Sequence, residues 1–471
     1  MNVINIFQKY YILDKNIFQV YDVARWAKCY DICITKALDH GKDEMKMTKK
    51  LLALLLAAAM VLGLAACGSG SGSTTSDNAP AASTADSAAA PAADQNTTAS
   101  GDNVLKIGAL LNTTGWFASV DYNNQIEMQT LCDYLNEQGG IDIGGTKYQL
   151  ELVVEDGGSD AEGIRSAAQR LVDAGVKYVM ETNDFWVEGA IDIFENAGVM
   201  NVMAQNNMNH NVMNADTKYS FTFSNACTSQ YYTAIEVLKD QYPDVKKVVY
   251  ACDDNGVNDE QAALVKAGCE KFGLEYVDSP IIYDGESTDF SSIALKIVSS
   301  GADCFIGNGT PDNIASLLKE VRAAGSDMVC AAVITMGPGV LIGGSGLSDL
   351  SGAFTFGTDI ADTSRNTDTF NAIYKKFVDQ YGEETASAWN GAGLDNLYTL
   401  LQIMQGAGSI DVDTVLKYYE TMDTVETLFG TGVKGGQETF GNDHAISHPS
   451  HTLKADGGKI VYMATYDCIV P

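Results

Sequence analysis

From Val104 onward, apolar residues follow a helical period in several separate segments. Spacings of three and four residues place apolar side chains on one face of a helix. Such stripes occur at Ile164, Ala167, Ala168, Leu171 and Val172, at Ile314, Leu317, Leu318 and Val321, and at Phe370, Ile373, Tyr374, Phe377, Val378 and Tyr381. These segments are predicted to be helices that each bury one side.

Short apolar runs of strand-forming residues follow glycines that end the helical segments. A glycine just past a helix adopts the left-handed cap, and the next residues begin a strand. The runs are 176–180 after Gly175, 199–203 after Gly198, 274–277 after Gly273, 304–306 after Gly301 and 328–333 after Gly325. Strands alternating with helices predict an α/β fold with parallel sheets covered by helices. About 365 residues exceed one core of this type, so we expect two lobes.

A different pattern occurs before the predicted α/β lobes, at residues 45–66. A short basic stretch is followed by an uninterrupted apolar run at 51–62 and then by small residues. This order is typical of a secretory signal peptide, and the run is shorter than the about 20 residues of a membrane span.

Residues 1–44 stand before that signal. A signal peptide works from the N-terminus, so we expect this stretch to be a mis-called upstream extension, with translation starting at Met45 or Met47. The alternative is a cytoplasmic extension in which Cys29 and Cys33, on one helix face, form a redox or metal half-site.

The signal ends on Leu64-Ala65-Ala66-Cys67, which resembles the lipobox of bacterial lipoproteins. The resemblance implies cleavage before Cys67 and a diacylglyceryl group on its sulfur, and two acyl chains suffice for stable anchoring. Residues 67–103 are rich in Gly, Ser, Thr, Ala and Pro, a composition that indicates a flexible low-complexity tether.

The net charge narrows the possible partners. The chain has 61 acidic and 30 basic residues, a formal charge of −31. Nucleic-acid binding is excluded because it needs a basic surface. Strong acidity favours a soluble monomer.

The cysteines do not form an obvious disulfide framework. Seven lie beyond Cys67, an odd number of scattered positions. Free thiols among apolar residues act as small hydrophobes, so most are expected to be reduced and structural. They are Cys132, Cys227, Cys252, Cys269, Cys304, Cys330 and Cys468.

The sequence contains no recognisable catalytic or metal-binding motif. No nucleophile elbow, phosphate loop or zinc-binding His pair occurs. Residues 253–256 are similar to a calcium loop, but its first and twelfth ligand positions would fall on Ala251 and Ala262. A polar loop before the last strand is expected to hold His444, His448 and His451. The sequence therefore predicts that the protein is not an enzyme and that it holds neither a metal ion nor a cofactor.

Three motifs, in this order and spacing, resemble type I periplasmic binding proteins of the branched-chain amino acid group. Residues 107–118 are similar to that family's first strand and loop. Asn136-x-x-Gly139-Gly140-Ile141 is similar to its first helix end, and residues 155–161 to its next strand end and helix start. The resemblance runs from about Val104 to the C-terminus.

This resemblance implies two Rossmann-like lobes joined by three crossings, with the ligand in the cleft between them. Lobe 1 is expected at 104–224 plus 358–430, and lobe 2 at 225–357 plus 431–471. The crossings are placed near 222–226, 356–359 and 428–434.

The resemblance also implies which residues bind the ligand. Loops and helix N-termini at the cleft present free backbone N–H groups to a ligand carboxylate. The positions carried over are Thr114, Gly115, Trp116, Asn183, Asp184, Trp186, Gln205, Asn206 and Asn207 in one lobe, and Asn255, Thr310 and Met336 in the other.

The chain departs from the family pattern in two places. Asn255-Gly256 stands where Tyr-Gly is usual, so an aromatic wall is missing. The turn Gly337-Pro338-Gly339 lacks the acid that neutralises a ligand ammonium, and a buried ammonium without a counter-charge is costly. Asp184 or Asp312 could substitute; otherwise the ligand is not an α-amino acid. An apolar or aromatic ligand moiety, or alternatively core packing, would explain Trp116, Phe117, Trp186 and Trp389.

The expected function is therefore a lipid-anchored solute-binding component of an ATP-driven importer. A small amino-acid-like or carboxylate ligand would close the lobes, and the closed form would dock on a membrane permease. A sensor lipoprotein with the same lobes, a binder of an aromatic carboxylate or amide, and, last, a secreted hydrolase are the alternatives.

Overall fold

A computed structural model describes residues 103–115, 117–205, 209–223, 227–334, 352–357, 363–386, 389, 391–456, 459–468 and 470. The predicted extension, signal peptide and Cys67, with the tether up to residue 102, lie outside the described residues. Within the described ranges, no helix has the length and apolarity to cross a membrane.

The strands form two separate sheets. The first has nine strands in the order β13-β14-β15-β6-β5-β4-β1-β3-β2, and β15, β6, β5, β4, β1 and β3 are successively parallel. Its strands are β1 (Val104–Leu111), β2 (Ile141–Ile143), β3 (Thr146–Asp156), β4 (Tyr178–Asn183), β5 (Met200–Gln205), β6 (Ser220–Thr222), β13 (Thr424–Thr427), β14 (Gly430–Gly435) and β15 (Ala445–Ser447).

The second sheet has eight strands in the order β17-β16-β12-β11-β10-β7-β8, with β9 also paired to β7. Strands β7 to β12 are parallel where they pair, and β16 and β17 add an antiparallel edge. They are β7 (Lys247–Asp253), β8 (Glu275–Tyr276), β9 (Ile281–Tyr283), β10 (Cys304–Gly309), β11 (Val329–Ile334), β12 (Ala353–Gly357), β16 (Pro449–Asp456) and β17 (Lys459–Asp467).

Helices cover both faces of each sheet. They are α1 (Ala118–Glu137), α2 (Ala161–Asp173), α3 (Asp184–Val187), α4 (Ile191–Ala197), α5 (Cys227–Gln241), α6 (Asn258–Phe272), α7 (Ser291–Ser299), α8 (Pro311–Ala323), α9 (Asp368–Ala386), α10 (Ala392–Ala407), α11 (Val412–Thr421) and α12 (Gln437–Phe440), with a 3-10 turn at Thr363–Arg365.

The first sheet has α1, α9, α10 and α11 on one face and α2 and α4 on the other. The second sheet has α5 and α6 on one face and α7 and α8 on the other.

The predicted helical stripes and glycine caps are confirmed. The apolar stripes of α2, α8 and α9 face the cores, with Leu171, Leu317 and Phe377 fully buried. Gly198 and Gly273 end their helices in the left-handed conformation, with φ of 61° and 74°. The predicted α/β class with two lobes is therefore correct, apart from the antiparallel strands at the sheet edges.

The described thiols are unpaired and buried, as expected from the scattered cysteines. Burial raises the pKa of the Cys252 thiol to about 11, so it is held as the neutral thiol. The side chain of Cys227 lies outside the described residues. The free cysteines are Cys132, Cys252, Cys269, Cys304, Cys330 and Cys468.

The third predicted crossing, near 428–434, was placed too early. That segment is a hairpin, because Thr427 pairs with Gly430 and β14 continues into the first sheet beside β15. Residues 431–447 thus belong to the first lobe, and the chain passes to the second sheet at His448, between β15 and β16.

The chain end makes a further connection that the sequence analysis missed. Val470, beyond β17, packs in the first-lobe cluster that covers α2. Its N–H donates to Ser447 Oγ at 3.3 Å, and its carbonyl accepts the N–H of Gly436 at 3.2 Å.

The three histidines are not in a common polar loop, contrary to expectation. His444 precedes β15, His448 lies at the crossing, and His451 lies within β16. His448 Nε2 is 3.1 Å from Asp395 Oδ2, and both side chains are buried. Its Nδ1 lies 2.9 Å from the Pro449 carbonyl oxygen.

Asp395→Ala is expected to lower the free energy of unfolding by about 1–3 kcal/mol, because the buried N–H of Leu428 loses its acceptor and the buried His448 ring loses its neighbour. Urea denaturation measures the change. The exposed pair Lys375–Asp379 provides the matched control, since Asp379→Ala should cost no more than about 1 kcal/mol. Equal effects of the two substitutions would contradict a stabilising role of the buried Asp395 carboxyl at the crossing.

Candidate functional site

The loops at the carboxyl edge of the first sheet are the candidate ligand contacts. Parallel strands end at the same edge, and ligands of such sheets bind beyond those ends. Here β1, β3, β4 and β5 end at Leu111, Asp156, Asn183 and Gln205. Asn183 and Gln205 are register partners, so two predicted contact positions lie side by side.

Asp156 holds the predicted contact Thr114 in place. The carboxylate accepts the N–H groups of Thr113 and Thr114 at 2.9 and 3.1 Å, and the Thr114 hydroxyl donates to it at 2.6 Å. The N–H of Gly158 donates to it at 2.9 Å. Burial alone would raise the pKa of Asp156, but these donors hold it below its ordinary value.

Gly115 allows this loop to approach the next one. Its φ is 87°, and a Cβ there would lie 2.5 Å from Ser159 Oγ and 2.7 Å from the Gly158 carbonyl oxygen. The Ser159 hydroxyl donates to the Thr114 carbonyl at 2.9 Å, and it accepts the N–H of Phe117 at 3.2 Å. The loops after β1 and β3 therefore form one rigid unit.

Asp184 and Trp186 lie in the short helix α3 directly after β4, and both are buried. Asp184 Oδ2 accepts the N–H of Asn209 at 3.2 Å, which links the loops after β4 and β5. The ring of Trp186 packs edge-on against Phe117 and Phe185, with centroids 5.8 and 4.9 Å away. Phe185 is 56% exposed, so an aromatic surface is available at this edge.

Asp121, in the first turn of α1, is a polar residue of this edge that the sequence analysis missed. It is fully buried and accepts the backbone and side-chain N–H groups of Asn112 at 2.6 and 2.9 Å, and the Thr182 hydroxyl. Burial raises its pKa to about 6, against the opposing effect of these donors. No sequence motif marks this acid, because its partner Thr182 lies 61 residues away in the chain.

The second sheet presents its own carboxyl edge. Asn255, after β7, donates to Gln261 Oε1 at 3.2 Å and accepts the N–H of Val257 at 3.2 Å. Thr310, after β10, caps α8 by accepting the N–H of Asn313 at 3.3 Å. Burial raises the pKa of Asp253, the last residue of β7, to about 6. Asn255 and Thr310 thus lie at the carboxyl edge of the second sheet, and their side chains form hydrogen bonds within their own loops.

The remaining predicted positions divide into two groups. The backbones of Asn183 and Gln205 are placed, but their side chains lie outside the described residues. Entirely outside them are Trp116, Asn206, Asn207 and Met336.

Trp389 belongs to the core instead of the site. It is buried and packs edge-on against Phe370, Tyr374 and Phe377 at 5.7, 5.2 and 4.9 Å. The expectation that its ring contacts a ligand was wrong, and the alternative of core packing is confirmed. Asp312, in the first turn of α8, is exposed.

A cavity of about 260 Å³ lies at the opposite end of the first lobe. It is lined by the end of α1, by β2 and by α10. Since α1 starts beside the carboxyl edge, its last turn lies at the far edge, and this cavity is separate from the candidate site. The described residues contain no group of three His, Cys, Asp or Glu side chains able to hold a metal ion.

Two α/β lobes with loops beyond their strand ends define a class, the two-lobed proteins that hold a solute between Rossmann-like lobes. The profile of the periplasmic binding protein family matches residues 104–459, and the chain belongs to that family. The predicted type I fold is confirmed.

Solved structures of this class have the same fold. The leucine-binding protein LivK of Thermotoga maritima is 19% identical and has a TM-score of 0.62, over 77% of this chain and 99% of its own. LivJ of Streptococcus pneumoniae, in complex with isoleucine, is 17% identical with a TM-score of 0.60, over 78% and 99%. A Rhodopseudomonas palustris solute-binding protein in complex with 4-hydroxybenzoate is 17% identical with a TM-score of 0.61, over 78% and 98%. These likenesses concern the fold.

Asp156→Ala is expected to destabilise the protein by about 1–3 kcal/mol, because three N–H groups lose a charged acceptor. Because the pKa of Asp156 in the folded protein is below its ordinary value of 3.8, its contribution to stability is complete above pH 3.8. That contribution is lost as the pH falls through the lower pKa of the folded protein. Urea denaturation of both proteins between neutral and strongly acidic pH measures this difference.

The exposed Asp173, which accepts a hydrogen bond from the Gln169 amide, supplies the control for that substitution. Asp173→Ala should change stability by less than about 0.5 kcal/mol. A difference between wild type and Asp156→Ala that stays constant into strong acid would contradict the assigned role of the carboxylate.

Proposed function

We propose that this protein is the extracytoplasmic, lipid-anchored solute-binding component of an ATP-driven importer. It captures a small amino-acid-like or carboxylate ligand between its lobes and does not catalyse a reaction. The observation that carries this proposal is the pair of parallel sheets whose carboxyl edges end in hydrogen-bonded loops, at Thr114 and Asp184 in one lobe and Asn255 in the other.

Ligand binding acts by shifting an equilibrium between open and closed lobes. A ligand that contacts both edges favours the closed form by its difference in affinity for the two forms. Loops that are already held by hydrogen bonds, such as the loop of Thr113 and Thr114 on the Asp156 carboxylate, lower the entropy cost of ligand binding. The closed monomer would then dock on a membrane permease encoded elsewhere.

The proposed anchor is Cys67, acylated on sulfur and preceded by the signal at 45–66. A tether of residues 67–103 would hold the lobes away from the membrane surface, with a root-mean-square reach of about 30–36 Å. Family membership supports an extracytoplasmic location.

Two alternatives share this fold. One is a sensor lipoprotein that reports the ligand to a membrane kinase, which a neighbouring kinase gene would favour over a permease gene. The other is a binder of an aromatic carboxylate or amide, favoured by the exposed ring of Phe185 beside Trp186.

Hinge closure is expected to reduce the radius of gyration when a cognate solute is added. Small-angle X-ray scattering on the purified chain, with a panel of amino acids, amides and aromatic acids, measures it. The same solute should raise the melting temperature in a concentration-dependent way. If no solute compacts the protein, the proposed function is wrong.

Cys67→Ser is expected to abolish acylation, because serine lacks the thiol that forms the thioether. Metabolic labelling with a radioactive fatty acid should mark the wild type and not the variant. Cys132→Ser, at a thiol buried in the first lobe, is the control and should retain the label. Label retained by Cys67→Ser would place the lipid elsewhere.

A further inference from the structure

The cavity of about 260 Å³ at the far edge of the first lobe has no part in the site described above. It lies where the end of α1 meets β2 and α10, and Thr369 of α9 completes its lining. Pockets for drug-sized ligands measure about 300–1,000 Å³, so this cavity has room for a smaller solute. We call it the distal cavity.

Contacts between distant segments hold the walls of the distal cavity in place. The Asn136 side-chain amide donates to the Leu150 carbonyl and accepts the N–H of Leu150, both at 2.8 Å, which fixes the end of α1 to β3. The Gln405 amide donates to the Asp142 carbonyl at 3.0 Å and so joins α10 to β2. A solute would therefore enter a shape that is already formed, which lowers the entropy cost of binding.

Burial divides the lining into an apolar floor and a polar rim. Ile141 and Leu401 are buried, with 5% and 0% of their surface exposed. Tyr134 and Tyr398 are half-buried, and Gln405 is exposed. A solute that fits must offer one apolar face and polar groups around it.

The capacity for hydrogen bonds is large for so small a volume. Seven of the eleven lining residues have a side chain that can hydrogen-bond, and three of these are Gln138, Gln402 and Gln405. Each amide offers N–H donors beside a carbonyl acceptor. Among the described residues, none hydrogen-bonds to the side-chain amide of Gln138 or Gln402, so both amides are available to a solute.

The charge of the lining favours a neutral solute. The described lining contains no Lys, Arg or His, and its one acid is the exposed Asp142, whose Oδ1 accepts the N–H of Gly145 at 3.0 Å. Lys147 is the register partner of Asp142 on β3. Opposite charges on directly paired residues offset each other, so the distal cavity attracts neither anions nor cations strongly.

We propose that the distal cavity binds a neutral polyhydroxylated ring of the size of a hexopyranose, either free or at the end of a glycan. Neighbouring hydroxyls of such a ring both donate and accept, which matches the paired groups of the side-chain amides. The C–H face of the ring would pack on the apolar floor and on Tyr134 or Tyr398. All of the lining lies in the first lobe, so this binding needs no closure of the lobes and goes beyond the proposed function.

The test measures sugar binding to the purified protein by calorimetry and saturation-transfer NMR, with glucose, galactose, mannose and N-acetylglucosamine. At least one of them should bind with a Kd of about 1 mM or lower. Tetrahydropyran-2-methanol keeps the ring without the ring hydroxyls, and it should bind about 10-fold or more weakly because hydrogen bonds are lost. The matching uronic acid should also bind more weakly, because its carboxylate meets no cation in the lining.

Methyl glycosides of the bound sugar distinguish the two sources of the ring. Equal affinity for the methyl glycoside supports recognition of a residue at the end of a glycan. Binding of the free sugar alone supports recognition of a free monosaccharide.

Gln402→Leu retains a side chain of similar size and removes the amide, so sugar affinity should fall about 10-fold. Gln138→Leu, at an exposed position of the rim, should have the same effect, and it serves if Gln402→Leu does not fold. Gln169→Leu, at an exposed position of α2 on the other face of the same sheet, is the matched control and should leave the affinity unchanged.

Small-angle scattering separates this inference from the proposed function. Sugar binding should leave the radius of gyration unchanged, whereas compaction by the sugar would place it between the lobes and overturn the inference. Full sugar affinity in both Gln402→Leu and Gln138→Leu, or no binding of any of the four sugars, would also overturn it and leave the proposed function untouched. Sugar binding in a protein that no amino acid, amide or aromatic acid compacts would overturn the proposed function alone.

Discussion

The structure depends on the pairing of backbone groups in two sheets whose inner strands are parallel. Inner strands of such a sheet have their N–H and C=O groups paired on both sides, so the backbone groups that remain free for a ligand lie in the loops beyond the strand ends. Leu111, Asp156 and Asn183 are the last residues of adjacent strands, which brings the loops of Thr114, Ser159 and Asp184 together. The candidate site follows from this constraint.

The loops at the carboxyl edge of the first sheet are fastened by short hydrogen bonds, whereas a buried acid in a neighbouring strand has none. The Asp156 carboxylate and Ser159 hydroxyl fasten the loops after β1 and β3 through short hydrogen bonds. Glu181, two residues before the end of β4, is buried, and its carboxyl has no hydrogen-bond partner.

The connections between the lobes are less regular than three simple crossings. The family resemblance placed a crossing near residues 428–434, but Thr427 and Gly430 close a hairpin there instead. The passage to the second sheet lies at His448, which contacts the buried Asp395 carboxylate. Val470 then returns to the first lobe.

The sequence by itself determined the α/β class, the helices at α2, α8 and α9, the glycine-ended caps and the family, because local periodicity and cap chemistry do not depend on distant residues. Only the tertiary structure decided that Trp389 is core, that β14 pairs in the first sheet, and that Asp121 and Glu181 are buried at the candidate site. These properties arise from contacts between residues far apart in the chain. An acid within an apolar strand looks the same in the sequence whether or not the folded protein gives its carboxyl a hydrogen-bond partner.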